Sequence, residues 1–151
     1  MQEHIFTKLD MHGSYILDEN AQYHSDTAFN KAQSPLIYGI EFYASGTASQ
    51  VSTAYDLGKF FNALLSEQIL QPESLELMLT AHADVGGSYG YGIGHLNGSL
   101  NVYSHTGLND GFRSIFVINK EKNAVIVILG NGGDNLPDFM YLIDLAGEFI
   151  Q

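Results

Sequence analysis

At 151 residues the chain is long enough for one domain, which would bury about 70% of its unfolded surface if it folds alone. Its formal charge is −11 with only six Lys and Arg in all, so nucleic acid and anionic membrane surfaces would repel it, and neither is expected as a partner. It has no Cys, which removes disulfides and thiolate chemistry, and no apolar run reaches the length of a membrane span.

Met1-Gln2-Glu3-His4 lacks the basic-then-apolar pattern of a signal peptide. Ile5-Phe6 and Leu9 fit a short helix ended near His12-Gly13, and Tyr15-Ile16-Leu17 fits a brief strand or a tucked loop. Residues 18–50 are polar, with Ser34-Pro35 and Ser45-Gly46 as breakers and Leu36-Ile37-Tyr38 as a candidate short strand. An irregular segment lying over a core is expected there, long for a loop inside a compact domain.

The first strongly periodic helix begins at Thr53. Thr53 and Asp56 have capping-box spacing with the shorter acid, and Leu57, Phe60, Phe61, Leu64 and Leu65 recur on one stripe. Pro72 suits the first turn of a second, shorter helix carrying Leu75, Met78 and Leu79. After Asp134-Asn135, a closing helix with Pro137 early places Phe139, Leu142, Ile143, Ala146, Phe149 and Ile150 on one face, which should pack on a sheet.

Between these helices, Tyr89 to Asn131 reads as four consecutive strands with His105-Thr106-Gly107 between the second and third. Asn97-Gly98 is a strong hairpin signal, because both central residues of a type I′ turn need positive φ, and it pairs 89–96 with 99–105. Alternation puts His105 on the face of Tyr103, opposite Leu100, Val102 and Ser104. Arg113 to Ile118 then turns through residues 119–123 into Ala124-Val125-Ile126-Val127-Ile128-Leu129, apolar on both faces and so expected to be a central strand. The fold class is α+β, with an antiparallel sheet of about four strands over residues 89–131 flanked by helices.

The segment from Ser104 to Phe112, SHTGLNDGF, resembles the third signature of the serine β-lactamase and penicillin-binding-protein superfamily. That signature is Lys-Thr-Gly, replaced by His-Thr-Gly in many class C-like esterases and peptidases. Other parts match in order. Ala44-Ser45-Gly46 leading to Val51-Ser52-Thr53-Ala54-Tyr55-Asp56-Leu57 resembles the family's small-residue turn into a Ser-Thr-Ala-x-Asp-Leu helix. Residues 70–82 resemble its Pro-Glu-Ser helix, Tyr89-Gly90-Tyr91-Gly92 its Tyr-Gly-x-Gly strand, and Lys8-Leu9-Asp10-Met11, loosely, its Pro-Leu-Gly-Met segment.

Two family motifs are absent. The nucleophile motif is Ser-x-x-Lys, in which the Lys helps deprotonate the Ser, but the residues three before the five lysines are Ile5, Ala28, Asp56, Val117 and Asn119. Tyr-x-Asn is missing too; Ser99-Leu100-Asn101 has a related spacing but sits at a hairpin and reads as turn chemistry. The resemblance therefore implies that residues 1–151 are a single C-terminal segment of a larger penicillin-recognising-enzyme fold, the N-terminal part with the nucleophile lying elsewhere. His105 and Thr106 would be catalytic-site residues on a strand edge. Gly107 and Leu108 would bind substrate, the backbone N–H of Leu108 supplying one oxyanion-hole donor.

The implied substrate is a β-lactam, a D-alanyl peptide or a small ester, acted on without a cofactor, and His in place of Lys leans away from a typical β-lactamase. The alternative is a non-catalytic binding or assembly module that keeps the sheet. An extracytoplasmic place in a bacterium follows from the resemblance alone. The truncated sheet implies self-association through an exposed edge or apolar face.

Competing motifs are weaker. Gly86-Gly87-Ser88-Tyr89-Gly90 matches a nucleophile elbow letter for letter, but an elbow needs a helix after it and here a Gly-spaced strand is expected. Gly90, Gly92 and Gly94 have the wrong spacing for a dinucleotide fingerprint and fit close backbone approach within a sheet. The six His are scattered without paired short spacing, so no metal is expected. Arg113 suits a substrate carboxylate in principle, but a single Arg is more often a solvated strand residue and is left out of the site.

Overall fold

The computed structural model describes residues 1–16, 50–84, 88–109, 112–132 and 139–150. Residues 17–49, with the candidate strand Leu36-Ile37-Tyr38 and the turn Ala44-Ser45-Gly46, lie outside the described residues, as does Pro137.

The chain opens with one π-helical turn, Gln2–Phe6, that buries Phe6. Asp10 follows with φ 53°, the left-handed region, at the position where the resemblance places a Gly; Asp is one of the few other residues that enter this region at modest cost. Strand β1, Tyr15–Ile16, pairs antiparallel with β2, Gln50–Val51. Helix α1, Ala54–Leu65, starts as its sequence requires, with Thr53 Oγ1 accepting the backbone N–H of Asp56 at 3.1 Å. The carboxylate of Asp56 does not complete a capping box. Its Oδ2 instead accepts the backbone N–H of Gly13 at 2.8 Å and the hydroxyl of Ser14 at 2.9 Å, tying the N-terminal segment to α1. Helix α2, Pro72–Leu79, has its proline in the first turn and buries Leu75 and Leu79.

Among the described residues the main sheet is antiparallel with six strands in sequential order: β3 Ala83–Asp84, β4 Ser88–Tyr89, β5 Gly94–His95, β6 Val102–Asn109, β7 Phe112–Asn119 and β8 Ala124–Gly130. This agrees with the expected antiparallel sheet of about four strands over residues 89–131; within that range residues 89–96 form two short strands rather than one, and before it Ala83–Asp84 joins the edge. The cause is Gly90. A Cβ there would lie 2.2 Å from the carbonyl oxygen of Met78, so only glycine lets the β4–β5 turn dock on the C-terminal end of α2. The close approach is thus to a helix, not within the sheet.

Three further expectations are corrected. Asn97 and Gly98 both have positive φ, as a type I′ turn needs, and the Ser99 N–H donates to the Leu96 carbonyl at 2.9 Å across them, but the hairpin is wider than expected, with His95 opposite Tyr103. Ser99 Oγ accepts the N–H groups of Asn101 and Val102, so side-chain turn chemistry lengthens the connection. The His-Thr-Gly motif lies inside β6 rather than after it, because β7 pairs with the whole strand from Val102↔Asn119 to Asn109↔Phe112. Strand β8 is covered on both faces but is the last strand of the sheet among the described residues.

Alternation along β6, β7 and β8 separates two cores. Tyr103, Ile118, Val125 and Val127 pack with Phe61 and Leu64 of α1 and Leu75 and Leu79 of α2. On the other face Val102, Ile115, Val117, Ile126 and Ile128 pack with Ile143, Ala146 and Ile150 of helix α3, Phe139–Ile150. Burying each large apolar side chain contributes about 1.5–3 kcal/mol before entropy is counted. Phe149 is 80% exposed, contrary to expectation. At 100° per residue it lies about 60° from Ala146 but about 120° from Ile143, at the margin of the face that meets the sheet. Asn119 fixes α3 from below, donating Nδ2 to the carbonyl of Ile150 at 2.9 Å and accepting the N–H of Lys122 through Oδ1 at 2.9 Å.

Candidate active site

β6 is paired unequally on its two sides. β7 runs its full length, whereas β5 reaches only Tyr103 and Ser104, so from His105 onward one edge of β6 meets no other strand among the described residues. Alternate residues send their backbone N–H and C=O groups to that side, where they are available to an extended ligand. The anchoring of the β4–β5 turn on α2 explains why β5 stops. Gly90 touches Met78, the N–H of Tyr91 donates to the Met78 carbonyl at 2.9 Å, and His95 Nε2 lies 2.8 Å from the Leu79 carbonyl.

His105 and Thr106 are exposed and point to opposite faces of the sheet, so they share the edge through backbone rather than side chains. His105 lies on the α1 and α2 face with Tyr103, as alternation requires. Its ring stacks on Phe116, its cross-strand partner, at 6.3 Å and 18°, and Phe116 in turn packs on Phe61 of α1 at 4.2 Å. Tyr89 closes the other side, with centroids 6.1 Å apart. The rings of Tyr89 and Phe116 were missed in the sequence, because only the register of β6 against β7 and the proximity of β4 reveal them. Gly107 faces Ser114, whose Oγ would be 2.3 Å from a Cβ at 107. Leu108 is 70% exposed at the open end of the strand.

The other marked residues fall elsewhere. Ser88 lies in β4 and is followed by a turn into another strand, so the nucleophile-elbow geometry is absent. Arg113 pairs with Leu108 across β6 and β7. A groove of about 570 Å³ beside α2 collects Glu67, Glu73, Glu76 and Lys120 but none of the residues around His105. Two groups have shifted proton affinity. Burial raises the Tyr103 phenol above its usual value, with the Lys120 charge opposing and that of Glu76 adding to the shift. The hydrogen bond and charge of Lys120 hold the Glu76 carboxyl below its usual value.

An antiparallel sheet between helical layers, with a His-Thr-Gly strand presenting a free edge, defines the class of serine β-lactamases and penicillin-binding proteins. The Beta-lactamase family model matches residues 1–149, and the chain belongs to that family. Among solved structures, the penicillin-binding protein from Bacillus halodurans superposes with a TM-score of 0.77 at 20% identity, over 95% of this chain and 48% of that one. The octameric penicillin-binding protein homologue from Pyrococcus abyssi gives 0.75 at 21% identity, over 98% and 36%. The D-amino acid amidase from Ochrobactrum anthropi SV3, complexed with D-phenylalanine, gives 0.74 at 19% identity, over 99% and 51%. The chain spans about half or less of the length of these proteins.

Proposed function

We propose that residues 1–151 are the C-terminal part of a serine acyl hydrolase, and that the edge of β6 from His105 to Leu108 is the wall of its acyl-binding site. The observation that carries this is the edge itself: β5 leaves β6 after Ser104, beside the family's third motif. In the whole protein, a serine hydroxyl from another segment attacks the substrate carbonyl carbon and gives up its proton to a base. The resulting oxyanion accepts the N–H of Leu108, while the edge aligns the acyl chain. Collapse expels the amine or alcohol with a proton, and water then hydrolyses the acyl ester. Residues 1–151 contain no Ser-x-x-Lys, so this segment supplies the wall and not the nucleophile.

The test uses the full-length protein against a β-lactam, a D-alanyl-D-alanine peptide, a D-amino acid amide and a p-nitrophenyl ester. His105→Ala should lower kcat/KM for the best of these by about 10²-fold or more. An unchanged value removes His105 from the site. Residues 1–151 alone should form no stoichiometric adduct with a penicillin or a fluorophosphonate by intact mass, and an adduct on Ser88 would transfer the chemistry to the elbow.

The absence of Ser-x-x-Lys favours a second reading, a non-catalytic binding or assembly module. Full-length protein that binds a D-alanyl peptide without turnover or acylation would support it. Self-association accompanies both readings. β8 is apolar on both faces and is the last strand of the sheet among the described residues, and the Pyrococcus abyssi homologue is an octamer. A monodisperse monomer by light scattering across a wide concentration range would count against it.

A further inference from the structure

We propose that Tyr89 is the positioning residue for His105, its ring holding the imidazole in the rotamer that faces the open edge of β6. This inference rests on the assignment of His105 to the acyl-binding site. His105 is exposed, and the contacts that fix its ring among the described residues are two other rings rather than a hydrogen bond. On one side Phe116 lies nearly parallel to it at 6.3 Å, immobilised by its own packing on Phe61. On the other, Tyr89 is tilted by 59° at 6.1 Å. An imidazole at the end of one side chain has two free torsions, and a wall on a single side leaves both open. Tyr89 supplies the second wall.

Local structure fits this role. Through the register Tyr89↔Gly94↔Ser104, Tyr89 leaves the sheet on the face opposite His105, and its ring comes within 6.1 Å of the imidazole where β5 no longer covers β6. A Cβ at Gly94 would stand 3.4 Å from Cδ2 of Tyr89, so the ring lies over this position within van der Waals reach. Tyr89 belongs to neither apolar core and is only half-buried, so its replacement leaves the packing of α1, α2 and α3 intact. The role assigned is to the ring rather than the hydroxyl.

The experiment compares Tyr89→Ala, Tyr89→Phe and His105→Ala in the full-length protein, with the best substrate from the panel above. Misplacing a catalytic group by about 1 Å costs on the order of 10²-fold in rate. Tyr89→Ala should therefore lower kcat by about 10- to 100-fold with KM little changed, and Tyr89→Phe should restore it. Three-bond Hα–Hβ couplings of His105 by NMR give a readout independent of turnover: one rotamer in the wild type and in Tyr89→Phe, averaged values in Tyr89→Ala. Averaged couplings in the wild type, or an unchanged kcat in Tyr89→Ala while His105→Ala loses activity, would overturn the inference. Loss of activity in Tyr89→Phe equal to that in Tyr89→Ala would also overturn it, by moving the role to the hydroxyl. No effect of His105→Ala would sink the site assignment instead.

Discussion

Asp56 is the residue whose removal should cost the fold most per atom. Only 4% of it is exposed, and its Oδ2 accepts two hydrogen bonds from a segment more than forty residues earlier, the Gly13 amide at 2.8 Å and the Ser14 hydroxyl at 2.9 Å. Ser14 Oγ also lies 2.7 Å from Ser52 Oγ, so the carboxylate ends a short polar chain. Its ion pair with Lys59 is 3.5 Å long and partly exposed, and such pairs contribute about 0–1 kcal/mol. Hydrogen bonds to a charged group contribute about 1.5–3 kcal/mol each, so Asp56→Ala should destabilise by about 3–5 kcal/mol. Asp56→Asn keeps one acceptor oxygen and should cost about half of that. For a chain of this size the alanine variant should lose roughly 6–20 °C in Tm. Urea unfolding gives the free energies, and a cycle with Ser14→Ala should show coupling of about 0.5–3 kcal/mol. If Asp56→Ala stayed within about 1 kcal/mol of wild type, the buried carboxylate would not be what fastens the N-terminal segment to α1.

Gly90→Ala should destabilise by about 1–3 kcal/mol or more, because its methyl meets helix backbone that cannot move aside; urea unfolding measures the loss, and a neutral result would mean that the β4–β5 turn is not docked on α2. Thr53→Ala should cost about 1 kcal/mol through loss of the cap on α1, with Thr53→Ser restoring most of it. The pH profile of stability has two limbs with opposite signs. The Glu76 carboxyl is lowered on folding, so its tie to Lys120 contributes above the ordinary value of 4.5 and is lost as pH falls through the folded value. Glu76→Gln should flatten that limb. Tyr103 is raised on folding, so its contribution is present below 10.0 and is lost as pH rises through the folded value. A Tyr103→Phe variant with an unchanged alkaline limb would argue against the assignment.

The helices were legible in the sequence because their signals are local. Thr53 caps α1, Pro72 starts α2, and the stripe through Phe61 and Leu64 faces the core, all decided within a few residues. The long strands were legible too, β6 from its alternation and β8 from a continuous apolar run. What failed was register and termination. The Asn97-Gly98 signal gave the right φ signs but the wrong hairpin width, because Ser99 captures two amides that a tight turn would have left to the ladder. The site followed the same division. The motif residues His105 and Thr106 could be read in order, whereas Tyr89 and Phe116 depend on which strands end up side by side.

Gly90 connects these two levels. A continuous strand from 89 to 96 would have paired along β6 past Ser104 and covered the backbone at His105 and beyond. Instead the chain turns at Gly90 and Gly92, the latter at φ 74°, and the turn is drawn onto the carbonyls that end α2. Those carbonyls lack helical partners of their own, so the Tyr91 amide and the His95 ring satisfy groups that would otherwise be orphaned. The same contacts that complete the end of a helix therefore shorten β5, and the shortening of β5 is what leaves β6 an edge. A residue with no functional group thus sets where the candidate site begins, and it does so through a distance of approach that only hydrogen at the α-carbon permits.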